Sequence, residues 1–122
     1  MKTNTNTPLD NEMVQNKIDK IEKKIHKYNS FTDKNKIELL NLLATLKPEI
    51  TEFSKVQAEH AESIAGFIER STHEVMRREK NPALIKFAVN GLSASVKGFE
   101  ASHPQLVENV NYIANALANM GI

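Results

Sequence analysis

Four histidines, His26, His60, His73 and His103, are the side chains of this 122-residue chain best suited to moving a proton or holding a metal. Glu69 stands four residues before His73, so the two share a helix face, and Glu59 adjoins His60 at a looser angle. No histidine lies in an HExxH frame. A catalytic zinc takes three protein ligands and an open position, whereas His60 and His73 point to different faces of a helix. An ordinary surface pair therefore outweighs a metal site. Glu59 and Glu62 could act as an acid–base pair, but in so charged a helix they read as a solvated face.

Other chemistry has less support. The chain has no cysteine, which removes disulfides, thiol nucleophiles and cysteine-ligated metals. It contains no glycine-rich phosphate loop and no GxSxG elbow. We assign no catalytic, cofactor-binding or metal-binding residue, and the balance leans against an enzyme. With 16 basic and 15 acidic side chains, no whole-molecule field draws in nucleic acid or anionic lipid. Lys17, Lys20, Lys24 and Lys27 recur at helical spacing, but Asp10, Glu12, Asp19 and Glu22 nearly cancel them, and no aromatic residue interleaves for base stacking. No nucleic-acid partner is expected.

The elements that must position these residues are helical. Residues 1–7, rich in threonine and asparagine, read as a disordered tail, and 8–122 as a single helical domain. MKTNTNTPLDNE lacks the apolar stretch of a secretory signal, and no window approaches the roughly 20 apolar residues of a membrane span. The cytoplasm is the expected compartment. Thr7 before Pro8 reads as an N-cap, and Val14, Ile18, Ile21, Ile25 and Tyr28 follow at a 4-3-4-3 spacing that fits an amphipathic helix. Thr32 caps a second helix with Ile37, Leu40, Leu43 and Leu46 on its inner face, widened by Leu39 and Leu42. Pro48 predicts a break at Lys47, with a kink as the alternative, and opens a long third helix over about 48–78, either unbroken or interrupted at Gly66. Its inner face would be Ile50, Phe53, Gln57, His60, Ile64, Phe67, Ser71 and Val75.

Asn81-Pro82 opens a further helix carrying Leu84, Ile85, Ala88, Leu92, Val96 and Phe99. In GFEASHPQL, residues 98–106, Ser102 reads as the next N-cap in an S-x-x-Q capping box, Pro104 as the first turn and His103 as exposed between them. Leu106, Val110, Ile113, Leu117 and Met120 run 4-3-4-3 to Gly121, an αL cap. No segment alternates as a strand does. The fold class is all-α, an antiparallel bundle of four to five helices. Two stripes of small residues, Ser54-Ala58-Ala61-Ala65 and Gly91-Ser95-Gly98-Ser102, mark close helix contacts.

The C-terminal run FEASHPQLVENVNYIANALANMGI resembles the end of a bacterial family of short helical proteins of unknown function. These close on phenylalanine–glutamate–alanine, a histidine–proline pair and asparagine–methionine–glycine–isoleucine. The resemblance is close over 98–122 and looser over 33–50, where DKNKIELLNLLATLKPEI looks like the family's leucine-rich second helix. The matching positions are Phe99, Glu100, His103, Pro104 and Met120-Gly121-Ile122. Structural roles account for most of them, and Glu100 and His103 are left as candidates for an interaction surface.

Three functions compete. The first is a non-enzymatic helical module that self-associates or binds another protein, since Ile18 and Ile21 at heptad positions a and d put Lys17 at g and Glu22 at e, as in a coiled coil. The second is a carrier of a small apolar ligand between bundle helices, motivated by broad apolar faces and few aromatic residues. The third and weakest is a metal-dependent enzyme around His60, His73 and nearby glutamates.

Overall fold

The computed structural model describes residues 6–121, with side chains from Glu12 to Gly121. Five helices follow one another: α1 (Asn6–Lys27), α2 (Asp33–Ser54), α3 (Ala58–Val75), α4 (Pro82–Ala94) and α5 (Pro104–Gly121). Every regular element among the described residues is helical, as the periodicity requires. Asn6 and Thr7, placed in the tail by the sequence reading, belong to α1, while residues 1–5 and Ile122 lie outside the described residues. No helix is long and apolar enough to cross a membrane among the described residues.

Contacts between helices set their directions. Lys36 Nζ donates to the His26 carbonyl, and Lys47 reaches Asp19 and Glu22, so α2 runs antiparallel to α1. Lys17 pairs with Glu69, and Lys24 lies beside His73, so α3 returns parallel to α1. Phe67 meets Gly91 on α4, and Asn109 of α5 hydrogen-bonds Glu49 of α2. The result is an up-and-down bundle in which α3 packs against all four other helices. At its edges, α1 packs on α2 and α3, and α4 on α3 and α5.

Two caps stand where the sequence places them. The Asn35 amide donates to Thr32 Oγ1, and the Ala83 and Leu84 amides donate to Asn81 Oδ1 ahead of Pro82. Val14, Ile18, Ile21 and Ile25 are each at most 1% exposed, so these four are core, while Tyr28, the last member of the expected stripe, lies just past α1 and is half-buried. Leu106, Val110, Ile113 and Leu117 are likewise buried on α5, and Met120 at the end of that stripe is half-buried. On α2 the buried row is Leu39, Leu43, Leu46, Ile50 and Phe53, and Ile37, expected inside, is 59% exposed.

The long helix over 48–78 does not exist. α2 continues through Pro48 and stops at Ser54, and α3 is a separate helix that is unbroken at Gly66. Pro48 is tolerated because both it and Ala44, whose carbonyl it cannot serve, are exposed, so water can reach the unserved group. Burial of Leu46, Ile50 and Phe53 on the other side holds the two halves in one phase. The reversal falls instead at Lys55-Val56-Gln57. The Gln57 amide closes on the Phe53 carbonyl at 2.8 Å, and Gln57 leaves the helical region at φ −136°, ψ 62°. Both Lys55 and Gln57 turn with negative φ, so neither needs glycine.

Two glycines behave oppositely. A methyl group at Gly91 would land on the Phe67 ring, whereas one at Gly66 would meet nothing within 4 Å. Gly66→Ala is therefore expected to stabilise the protein by about 0.4–1 kcal/mol through helix propensity and a less flexible unfolded chain. A lower midpoint in urea denaturation would show that the α3 face around Gly66 is occupied.

Lys47 joins α2 to α1, 2.7 Å from Asp19 and 2.9 Å from Glu22. Its hydrogen bond to Asp19, then that to Glu22, hold the ammonium above the ordinary lysine value of 10.5. A raised folded-state value means the stabilisation is complete below the unfolded value and is lost as pH rises through the folded one. Lys47→Met should cost about 1 kcal/mol at neutral pH, and the gap between variant and parent should close above pH 10.5. Thermal melts at neutral and strongly alkaline pH check this, and an equal gap at both would exclude the ion pair as its source.

Candidate functional site

The end of the bundle where α2 stops and α3 and α5 begin gathers two of the four histidines. Phe53, in the last turn of α2, is 1% exposed and meets Phe99 edge-on at 5.0 Å and His103 at 4.8 Å. His60, from the first turn of α3, packs on Phe99 at 5.1 Å. The Nδ1 atoms of His60 and His103 lie 3.1 Å from Gln57 Oε1 and 3.0 Å from Ser102 Oγ. A surface groove of about 560 Å³ opens beside this cluster, between α2 and α5, with Val56 at its rim and Glu49 and Glu52 along one wall.

His103 differs from its expected placement. Its carbonyl accepts from the Val107 amide, so His103 and not Ser102 occupies the position before the first turn of α5. Its own amide donates to the Phe99 carbonyl at 2.8 Å, and its ring is half-buried against Phe53. Ser102 Oγ contacts the His103 ring rather than capping a helix amide. Glu100 is exposed, and its Oε1 accepts from the Gly98 amide at 2.9 Å. Gly98 has φ +95°, so the left-handed cap expected at Gly121 ends the α4 turn instead. Gly121 is the buried last residue of α5, and a side chain there would press on Ile85 and Val75.

His73 lies in the last turn of α3, about 20 Å along the axis from His60. His26 is in the last turn of α1. The structure thus keeps His60 and His73 apart, and no group of three or more metal-ligating side chains occurs among the described residues. Nothing in the spacing of the sequence links Phe53 and His60 to Phe99. They reach Phe99 only because the chain reverses at 55–57, where no glycine or proline signals a turn.

A second surface stands out on the edge helix α4. Phe87 is 74% exposed and Leu84 40% exposed, one helical turn apart. Lys86 is the only charged residue of PALIKFAVNGLSA. An exposed phenylalanine on so weakly charged a helix has the composition of an interface centre.

No curated protein and no solved structure matches the chain. A family model, described as a domain of unknown function, DUF4404, matches residues 39–122. The match begins in α2 and includes the histidine–phenylalanine end, the α4 face and the C-terminal run that suggested a family of unknown function. With most of its length matched, the chain belongs to the DUF4404 family.

Proposed function

We propose that the protein is a non-enzymatic helical module of the cytoplasm that self-associates through the outer face of α4. The observation that carries this reading is Phe87, 74% exposed beside Leu84 on a helix with no acidic residue. Burying a phenylalanine ring is worth about 1.5–3 kcal/mol, so leaving it in water forgoes a large fraction of a typical net stability. A two-fold axis near Phe87 would bring the same apolar patch from two copies together, with Lys86 as the sole like-charge cost.

Sedimentation velocity tests it. The wild-type chain should shift from monomer to dimer with rising concentration, and Phe87→Ser should stay monomeric throughout. A wild-type monomer at about millimolar concentration would overturn self-association. Binding of a different protein to α4 would then be the remaining form of the module, read by capture from the host with Phe87→Ser as the control.

A further inference from the structure

α1 and α3 run side by side and leave a groove of about 590 Å³ lined by Lys17, Lys24, Gly66, Phe67, Arg70 and His73, together with Ser63 and Glu69. The charges on its walls are unequally committed. Lys17 pairs with Glu69 at 3.4 Å, which neutralises the only acidic residue of the groove. Lys24 and Arg70 make no ion pair among the described residues. Asp19 and Glu22, which balance the α1 lysines in sequence, stand on the other flank of the α1 stripe and are held by Lys47.

A second observation concerns a small cavity next to the groove. Thr72 is 2% exposed and its Oγ1 has no hydrogen-bond partner. It lines a cavity of about 20 Å³ that shares Lys24, Glu69 and His73 with the groove. A buried hydroxyl without a partner is costly, and this one lies in the small cavity beside the groove, separate from the groove's own lining.

We propose that the α1/α3 groove binds a small phosphate-bearing ligand, with Lys24 and Arg70 as its principal contacts. Arg70 offers a planar fork of donors suited to two phosphate oxygens, Lys24 a point charge, and Ser63 a neutral donor. Gly66 projects no side chain, which leaves room for a ligand beside Arg70. The groove is larger than a phosphate and falls within the range of small-molecule sites, with the half-buried Phe67 among its lining residues. The site is independent of the α4 face.

The test is a titration of the full chain followed by ¹H–¹⁵N NMR at constant ionic strength, with inorganic pyrophosphate and adenosine monophosphate as separate probes. Saturable shifts are expected at Ser63, Gly66, Arg70 and His73, with a Kd below about 1 mM. Arg70→Gln and Lys24→Gln should each weaken binding at least about tenfold. Lys34→Gln, an exposed lysine on α2, should leave it unchanged. Both substituted groove residues are exposed, and unchanged circular dichroism confirms that the variants fold. Saturation by pyrophosphate alone assigns the site to free phosphates, and added shifts at Phe67 with the nucleotide assign it to organic ones. Linear shifts without saturation, or equal loss in the Lys34 variant, would reduce the effect to a general ion atmosphere and overturn the proposal.

Discussion

Phe53→Ala is expected to lower the free energy of unfolding by about 3–5 kcal/mol. The ring is 1% exposed, and its removal leaves a cavity between α2 and α5 that neighbours fill only partly. It also deletes edge contacts to Phe99 and His103, each geometry of a kind worth about 0.5–1.5 kcal/mol beyond the area buried. Because the Phe53 carbonyl accepts the amides of Val56 and Gln57, the ring anchors the turn that reverses the chain. Urea denaturation followed by circular dichroism reads the loss. A change below about 1 kcal/mol would mean that the histidine–phenylalanine end is not packed around Phe53, and the assembly of His60 and His103 there would fall with it.

Ile21→Ala is expected to cost about 2–5 kcal/mol, and so is Ile113→Ala. Both residues are at most 1% exposed in the middle of their stripes. Ile113 lies within the region matched by the family, whereas α1 lies before it, so the pair compares the matched core with the helix packed on its flank. If α1 is an integral part of the core, both variants unfold in one transition with similar losses. A separate early transition for Ile21→Ala, with the main one unmoved, would show that α1 detaches from a core that stands without it.

The helices legible in the sequence are those whose patterns admit one phase. In α1 and α5 the large aliphatic residues Val14, Ile18, Ile21 and Ile25, and Leu106, Val110, Ile113 and Leu117, recur at 4-3-4 spacing and have only one way to face inward. Thr32 and Asn81 were equally legible as caps, because their hydrogen bonds reach only two or three residues ahead. On α2, where Ile37, Leu39, Leu40, Leu42 and Leu43 surround much of the helix, two phases fit the sequence. Packing against α1 and α5 selected Leu39 over Ile37. Glu100 and His103 were legible as residues outside the apolar pattern, but their partners were not. Glu100 holds the Gly98 turn, and His103 rests on a phenylalanine fifty positions earlier in the chain.

An all-α chain, the apolar stripes of α1 and α5 and the Thr32 and Asn81 caps are readable from residue order alone, since periodicity and side-chain-to-amide bonds act within a few residues; the family is readable from the C-terminal run. That α2 passes through Pro48 and that the chain reverses at 55–57 follows from packing, which residue order does not show. Proline's penalty depends on whether the carbonyl it abandons is exposed, and a reversal at negative φ requires no special residue. The tertiary structure also decided how charge is distributed around α1. Asp19 and Glu22, which offset lysines along the sequence, are held by Lys47, brought in from α2, while Lys24 and Arg70 line the groove between α1 and α3. Electrostatic attraction depends on separation in space, and composition carries no record of it.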